Sequence, residues 1–473
     1  MIQFLLNNQL VTLAQLDTNT TVLDYLRLHT HQTGTKEGCA SGDCGACTVV
    51  LGELNAEQAG LNYRAINSCI TLLGALQGKQ LITVECLAQA ERLHPVQQTM
   101  VDCHGSQCGF CTPGFVMSMF ALWKEQPAPS HEQIDVALGG NLCRCTGYKP
   151  IIQAVQQLSH YATEDQFSAQ AQPTIEALKA IQNPSSPALH SAEQQYFLPN
   201  TRAELAALLV QYPEARIVAG STDLALEITQ NLKQLALLVG VNQVREMQQL
   251  QVLDDKIVIG AARPYSDCIE VLQTHYPAFA DMMKRLGSQQ IRNQGTFGGN
   301  IGTASPIGDT LPVLLALNAA VELQQGERVR LVNLNDYFTG YRKTVLEPSE
   351  FIAAVHIPRL QAGQVLVVDK VSKRFDDDIS AVCAAWVLTL KDNVIAYARS
   401  GYGGMAATPA RALNAEQALI GKVLNPTTIQ AAQQAITQDF KPMSDVRASS
   451  WYRMTVAQNL LERMSLSLIP SKT

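Results

Sequence analysis

The chain has 473 residues, too many for one ordinary domain, so two to four domains are expected. Hydrophobic residues make up 47% and aromatics 6%, the balance of a globular protein, and a formal net charge of −6 argues against nucleic acid or an anionic membrane as the main partner. No apolar run reaches the roughly 18 residues of a membrane span, and Met1-Ile2-Gln3-Phe4-Leu5-Leu6 lacks the basic start of a secretory signal. A cytoplasmic location is the expectation. Disulfides rarely persist there. Twelve cysteines, ten of them between Cys39 and Cys145, therefore point to metal or cluster ligation.

In chain order, Ile2–Leu6 and Gln9–Leu13 read as strands joined at an Asn7-Asn8 turn. A helix starts near Thr20-Thr21, with a threonine as cap. Thr48-Val49-Val50-Leu51 is a strand directly after Cys47. Residues 113–124 (PGFVMSMFALWK) form an apolar helix with Pro113 in its first turn and Thr112 as cap. Pro150 starts another helix in the same way. Residues 158–195 are polar, include Asn183-Pro184-Ser185-Ser186-Pro187, and read as a linker. Strand-like runs follow at 216–219, 235–239, 256–259 and 384–390, with amphipathic helices through residue 464.

Two cysteine sets stand out. Cys39-x4-Cys44-x2-Cys47, with Cys69 beyond it, has the spacing of a plant-type [2Fe–2S] loop. Gly38, Ala40, Ser41, Gly42, Gly45 and Ala46 keep that loop slim, so backbone N–H groups can turn toward sulfur. Cys108-x2-Cys111 with Cys143-x-Cys145 is open to two readings, a cluster or zinc. Cys111 stands at a helix N-terminus, where a negative cluster is favoured. Cys86, Cys103, Cys268 and Cys383 fall outside both spacings and read as ordinary small residues.

Three stretches could meet phosphate or flavin. The run 216–224 passes from a strand into small and hydroxyl residues, a shape that forms an anion nest but is not a GxGxxG fingerprint. The glycine-rich stretch 295–309 implies close backbone approach, either to a cofactor or within a tight loop crossing; there Asp309 could be only a helix cap. Residues 370–379 place three cations before three carboxylates, either a solvated, internally paired loop or a lysine beside a flavin.

Together these residues resemble a known family. Lys36-Glu37-Gly38-Cys39 through Cys47-Thr48, Arg64-Ala65-Ile66-Asn67-Ser68-Cys69, Gly105 through Gly114, Asn141-Leu142-Cys143-Arg144-Cys145-Thr146-Gly147-Tyr148, Gly298-Gly299-Asn300, Gly340-Tyr341-Arg342-Lys343 and the 370–379 loop are similar to the small subunits of molybdenum hydroxylases of the xanthine dehydrogenase type. The resemblance implies a multidomain α+β fold. Its parts are a β-grasp plant-type ferredoxin domain (1–82), a four-helix [2Fe–2S] domain (83–160), a linker (161–192), a two-part α+β FAD-binding domain (193–362) and an α+β C-terminal domain (363–473). It implies that Cys39, Cys44, Cys47 and Cys69 hold the cluster nearer the flavin, and Cys108, Cys111, Cys143 and Cys145 the one nearer molybdenum. Gln107 is similar to a glutamine that touches molybdopterin in the partner chain. FAD contacts are implied for Val218, Ala219, Gly220, Ser221, Thr222, Asp223 and Leu224, and for Thr296, Asn300, Thr303, Asp309, Ile352 and Lys370. Asp377 falls in a loop tied to NAD access. Where relatives often place a phenylalanine on the flavin ring, this chain has Leu286, which forgoes aromatic stacking. The implied partner is a large molybdenum-cofactor subunit in a heterotetramer with two of each chain. The implied role is electron transfer from purine hydroxylation, through two [2Fe–2S] clusters and FAD, to NAD.

Overall fold

The computed structural model describes residues 1–90, 92–161, 163–182 and 188–468. The chain forms two compact units. The first comprises residues 1–200, 214–243 and 287–295; the second comprises 201–213, 244–286 and 296–473.

The first unit opens with strands β1 (Ile2–Leu6) and β2 (Gln9–Leu13), joined at Asn7, whose φ of 56° suits asparagine. They combine with β3 (Thr48–Leu54), β4 (Leu61–Asn67) and β5 (Gln80–Ile82) in the order β2-β1-β5-β3-β4, with only the β1–β5 pair parallel. Thr21 caps the helical turn at Val22, its hydroxyl accepting from Asp24 N, as the sequence implies. Ile2, Phe4, Val22, Leu26, Val49, Leu51 and Ile66 fill the core between sheet and helix.

Four helices follow: α1 (Pro95–Asp102), α2 (Thr112–Glu125), α3 (His131–Leu138) and α4 (Lys149–Gln157). Val96, Phe115, Phe120, Trp123, Ile134, Ile151 and Val155 make one apolar core. Helix α2 starts one residue earlier than the sequence implies. Cys111, not Thr112, holds the cap position, and its carbonyl accepts from Phe115 N. Thr112 lies within the first turn, its hydroxyl 2.7 Å from that of Ser106.

The expected linker is partly structured. Helices Gln166–Ala169 and Ala171–Ala180 and strand Leu189–His190 occupy it, because Phe167, Ile175, Leu178 and Ile181 bury their side chains. The 183–187 segment lies outside the described residues. A four-stranded sheet closes the unit: β6 (Leu189–His190), β7 (Gln195–Phe197), β8 (Arg216–Val218) and β9 (Leu237–Gly240), in the order β6-β7-β9-β8.

The second unit is built on an antiparallel five-stranded sheet. Its strands are β10 (Leu250–Val252), β11 (Lys256–Gly260), β12 (Ala320–Gln325), β13 (Arg328–Asn333) and β14 (Phe351–Pro358), in the order β10-β11-β14-β12-β13. Helices α5 (Phe297–Gly302) and α6 (Thr310–Ala316) lead into it. A three-stranded meander, β15 (Gln364–Val371), β16 (Val382–Lys391) and β17 (Val394–Gly403), then packs with helices α7 (Leu413–Leu419), α8 (Pro426–Asp439) and α9 (Ser450–Leu468). No helix of the described residues is long and apolar enough to cross a membrane.

Candidate cluster and flavin sites

The first cysteine set converges. Cys39, Cys44 and Cys47 come from the loop before β3, and Cys69 from the 3₁₀ turn after β4. Cys47 and Cys69 sulfurs stand 3.2 Å apart and are buried; Cys39 is in thiol contact with both Cys44 and Cys69. Hydrogen bonds from the Cys44 and Cys69 thiols and from Ser41 hold Cys39 well below the ordinary thiol range despite its burial. The N–H groups of Ser41 and Asp43 lie 3.4 and 3.3 Å from its sulfur. Two glycines are closely enclosed. A Cβ on Gly38 would sit 2.8 Å from Cys44 Sγ, and Gly45, at φ +68°, would meet Gly140 O at 2.3 Å. Asn67 Nδ2 ties the loop from below by donating to Gly42 O at 2.7 Å.

The second set lies in the helical part and is more open. Cys145 and Cys108 sulfurs are 3.2 Å apart, both exposed, while Cys111 pairs with Cys143. Burial and the Cys143 thiol push Cys111 up to about 12. Cys143 itself is held down to about 7: burial raises it, but the Thr146 hydroxyl and N–H outweigh that. Tyr148, at φ 66°, accepts from Cys143 N at 3.0 Å and packs edge-on against Phe115, fixing the loop to α2. Gln107 is exposed beside Cys108.

Each set thus presents four sulfurs with N–H donors turned toward them, a donor set that fits a [2Fe–2S] cluster. Cys86, Cys103, Cys268 and Cys383 are raised by burial; Cys86 donates to Thr83 O, Cys268 to Pro264 O and Cys383 to Asp309 O.

The residues singled out for flavin divide between the units. In the first, the 218–224 turn leaves β8 with Ser221 at φ 55°, and Ser221 Oγ donates to Ile70 O at 2.6 Å, beside Cys69. A Cβ on Gly220 would lie 1.8 Å from Gln294 O, so this turn lies flat on the backbone of 294–295. Gln230 Nε2 donates to the carbonyls of Cys39 and Ala40, at 3.2 and 2.9 Å.

In the second unit Thr296 caps α5, its hydroxyl accepting from Gly299 N, and Gly298 is used internally: a Cβ there would meet Ala261 O at 2.5 Å. Asn300 Oδ1 accepts from Thr310, and Thr303 Oγ1 donates to Asn300 O. Asp309 holds the cap position of α6 without a side-chain cap bond. Its carboxylate instead receives Lys370 Nζ at 2.5 Å and Ser380 Oγ at 2.6 Å. Lys370 also donates to Asp378 O at 2.8 Å. The 370–379 loop is internally paired, with Arg374 bonded to Asp377 and Asp378. Arg285 braces it through the carbonyls of Phe375 and Lys370, its guanidinium 4.7 Å from the Phe375 ring. Leu286 is half-buried and Ile352 buried. Gln230, Arg285, Ser380 and Gln290 carry no spacing signature in the sequence; only their contacts single them out.

Four family descriptions match the chain in order. They are the 2Fe-2S iron-sulfur cluster binding domain (5–74), the [2Fe-2S] binding domain (83–156), the FAD binding domain in molybdopterin dehydrogenase (191–360) and the CO dehydrogenase flavoprotein C-terminal domain (369–468). The chain is an iron–sulfur/FAD electron-transfer chain of the molybdenum hydroxylase family. Within this family it is 34% identical to xanthine dehydrogenase of Emericella nidulans over 93% of its length, and 31% identical to xanthine dehydrogenase/oxidase of Gallus gallus over 91%. It spans 36% and 37% of those proteins, about a third of the curated relatives' length. Among solved structures it is similar to a carbon monoxide dehydrogenase chain of Hydrogenophaga pseudoflava, a form lacking the Mo-pyranopterin moiety of its cofactor. The TM-score is 0.55 and the identity 27%, covering 57% of this chain and 95% of that one. A quinoline 2-oxidoreductase chain of Pseudomonas putida 86 matches at TM-score 0.54 and 25% identity, covering 57% and 95%.

Proposed function

We propose that this chain is the electron-transfer part of a xanthine-dehydrogenase-type enzyme. Cys39, Cys44, Cys47 and Cys69 hold one [2Fe–2S] cluster, and Cys108, Cys111, Cys143 and Cys145 the other. Val218, Ala219, Gly220, Ser221, Thr222, Asp223 and Leu224 meet the FAD pyrophosphate. Leu286, Thr296, Asn300, Thr303, Asp309, Ile352 and Lys370 contact the remainder, and the loop with Asp377 governs NAD access. The domain limits follow the sequence reading, at 1–82, 83–160, 193–362 and 363–473. When bound, the clusters and FAD supply one- and two-electron redox chemistry between purine hydroxylation at a partner chain's molybdenum and NAD.

The residues of this chain bind, shield and tune. Cys47 and Cys69 are buried, which keeps water from the inner edge of the first site. The exposed Gln107, Cys108 and Cys145 give the second site an open face, suited to a large partner carrying molybdopterin, in an assembly of two copies of each chain. Asp309 and the Asp378 carbonyl hold Lys370 Nζ in one place.

The observation carrying the purine reading is coverage. Xanthine dehydrogenases match 93% of this chain as one continuous polypeptide, whereas the carbon monoxide dehydrogenase chain is 95% used up after 57% of it. The test is steady-state turnover of the purified complex with hypoxanthine and xanthine, with and without NAD. Turnover of carbon monoxide or quinoline but of neither purine would favour the second reading, another molybdenum hydroxylase, which the structural neighbours support. A colourless, zinc-containing protein without flavin absorbance would refute both.

A further inference from the structure

The 287–295 segment belongs to the first unit and carries the short helix Gln289–Arg292. Gln290 on it is fully buried. Its amide nitrogen lies 3.1 Å from Asn141 Oδ1, 3.2 Å from Ser118 Oγ and 3.3 Å from Thr48 Oγ1, so its two N–H groups are shared among three oxygens. Those oxygens belong to different neighbours of the two thiol sets. Thr48 follows Cys47, Asn141 precedes Cys143 by two residues, and Ser118 lies on α2, which Cys111 caps.

The network continues to the backbone of the first loop. Ser118 Oγ donates to Asn141 Oδ1 at 2.6 Å, and Asn141 Nδ2 donates to Gly45 O at 3.1 Å. The Thr48 hydroxyl donates to the same carbonyl at 2.6 Å. On its other side Gly45 O is pressed by α2, where a Cβ on Gly114 would lie 2.2 Å away. Beside this network, Leu142 N donates to Cys44 O at 3.0 Å. That single bond joins a ligand candidate of one set to the residue before a ligand candidate of the other. Nothing covalent holds it in register; the packed amides around it do.

We propose that Gln290 is a positioning residue: it fixes the register of the Cys44–Cys47 and Asn141–Cys145 loops, and with it the spacing and coupling of the two clusters. The inference rests on the cluster reading above. The energetic reason is that these oxygens share donors in a buried site, where each lost hydrogen bond is expensive. Without the glutamine N–H groups, Asn141 Oδ1, Ser118 and Thr48 lose a shared donor; Ser118 Oγ alone then steadies Asn141 Oδ1, and the hold of Asn141 on Gly45 O weakens.

The test uses the holoenzyme with Gln290→Met, which keeps length and volume but has no donor, and Gln289→Met on the same helix as control. The readouts are iron content, the two [2Fe–2S] EPR signals after dithionite reduction, their mutual spin–spin splitting at low temperature, and thermal stability. The expected result is full iron, both signals and an altered splitting in Gln290→Met, with wild-type splitting in the control. Should Gln290→Met fail to take up iron, Ser118→Ala, which weakens the same network from α2, carries the test with the same outcomes. Wild-type splitting with both signals present, even with lowered thermal stability, overturns the proposal alone. Absence of two [2Fe–2S] signals from the unmutated holoenzyme overturns the cluster reading, and this proposal with it.

Discussion

Replacing Asp165 by alanine tests how the 161–182 segment is held. Its Oδ1 receives Lys124 Nζ at 3.0 Å and Ser168 N at 2.7 Å, and its Oδ2 faces His94 Nε2 at 3.2 Å. The side chains of His94, Asp165 and Lys124 are 1%, 2% and 8% exposed, so solvent does little to screen them. Burial alone would raise the Asp165 carboxyl; the His94, Ser168 and Lys124 contacts outweigh it and hold the group below the carboxylate range. Removing one partner of a buried ion pair costs about 3–5 kcal/mol, and loss of the helix cap adds about 1 kcal/mol. Lys124 keeps Ser168 Oγ and the rings of Tyr63 and Trp123 at 5.1 and 5.7 Å. These contacts bring the expected loss to roughly 3–4 kcal/mol. At about 2–4 °C per kcal/mol for a unit of this size, the first unit should melt roughly 6–16 °C lower by calorimetry. The sign with pH follows from the depressed carboxyl. Its stabilisation is present above about pH 4 and is lost as pH falls through the folded value. Wild type and Asp165→Ala should therefore differ at neutral pH and converge in acid. A loss below about 1 kcal/mol, the range of a surface pair, would refute the reasoning.

Three further outcomes are expected. Gly114→Ala places a Cβ 2.2 Å from Gly45 O; overpacking of about 1–3 kcal/mol exceeds the gain of about 1 kcal/mol in helix propensity, so iron per chain and melting temperature should both fall, and normal iron with a raised melting temperature would contradict it. Lys370→Met strips the buried Asp309 carboxylate of its cation and should lower both flavin content and the stability of the second unit, by about 3 kcal/mol; unchanged flavin absorbance per chain would count against the flavin assignment. Glu322 is held down to about 2, first by the hydrogen bond from His356 and then by Arg202. Glu322→Gln should therefore be less stable than wild type above about pH 4.5, with the difference vanishing as pH falls toward 2; a pH-independent gap in urea midpoints would exclude the ion pair as its cause.

Local chemistry was legible in the sequence wherever a short stretch settles its own conformation. The Asn7 turn between two strands, the Thr21 cap and the helix behind Cys111 all depend on neighbours within four residues. The cysteine spacing likewise marked Cys39, Cys44 and Cys47 as one loop, since slim residues between thiols have few other uses. The sequence was least informative where burial came from distant partners. The 161–182 segment looked like a linker because its polar composition hides four apolar anchors and one carboxylate whose partners, His94 and Lys124, lie about 40 to 70 residues away. Glutamines are the extreme case. Gln230 and Gln290 have no period or spacing, yet one donates to the carbonyls of Cys39 and Ala40 and the other gathers Thr48, Ser118 and Asn141. The sequence by itself determined which thiols could be ligands, because ligand type and spacing are covalent properties. Only the tertiary structure decided which sulfurs meet and what holds their loops in register, because those depend on hydrogen bonds closed across as many as 242 residues of chain.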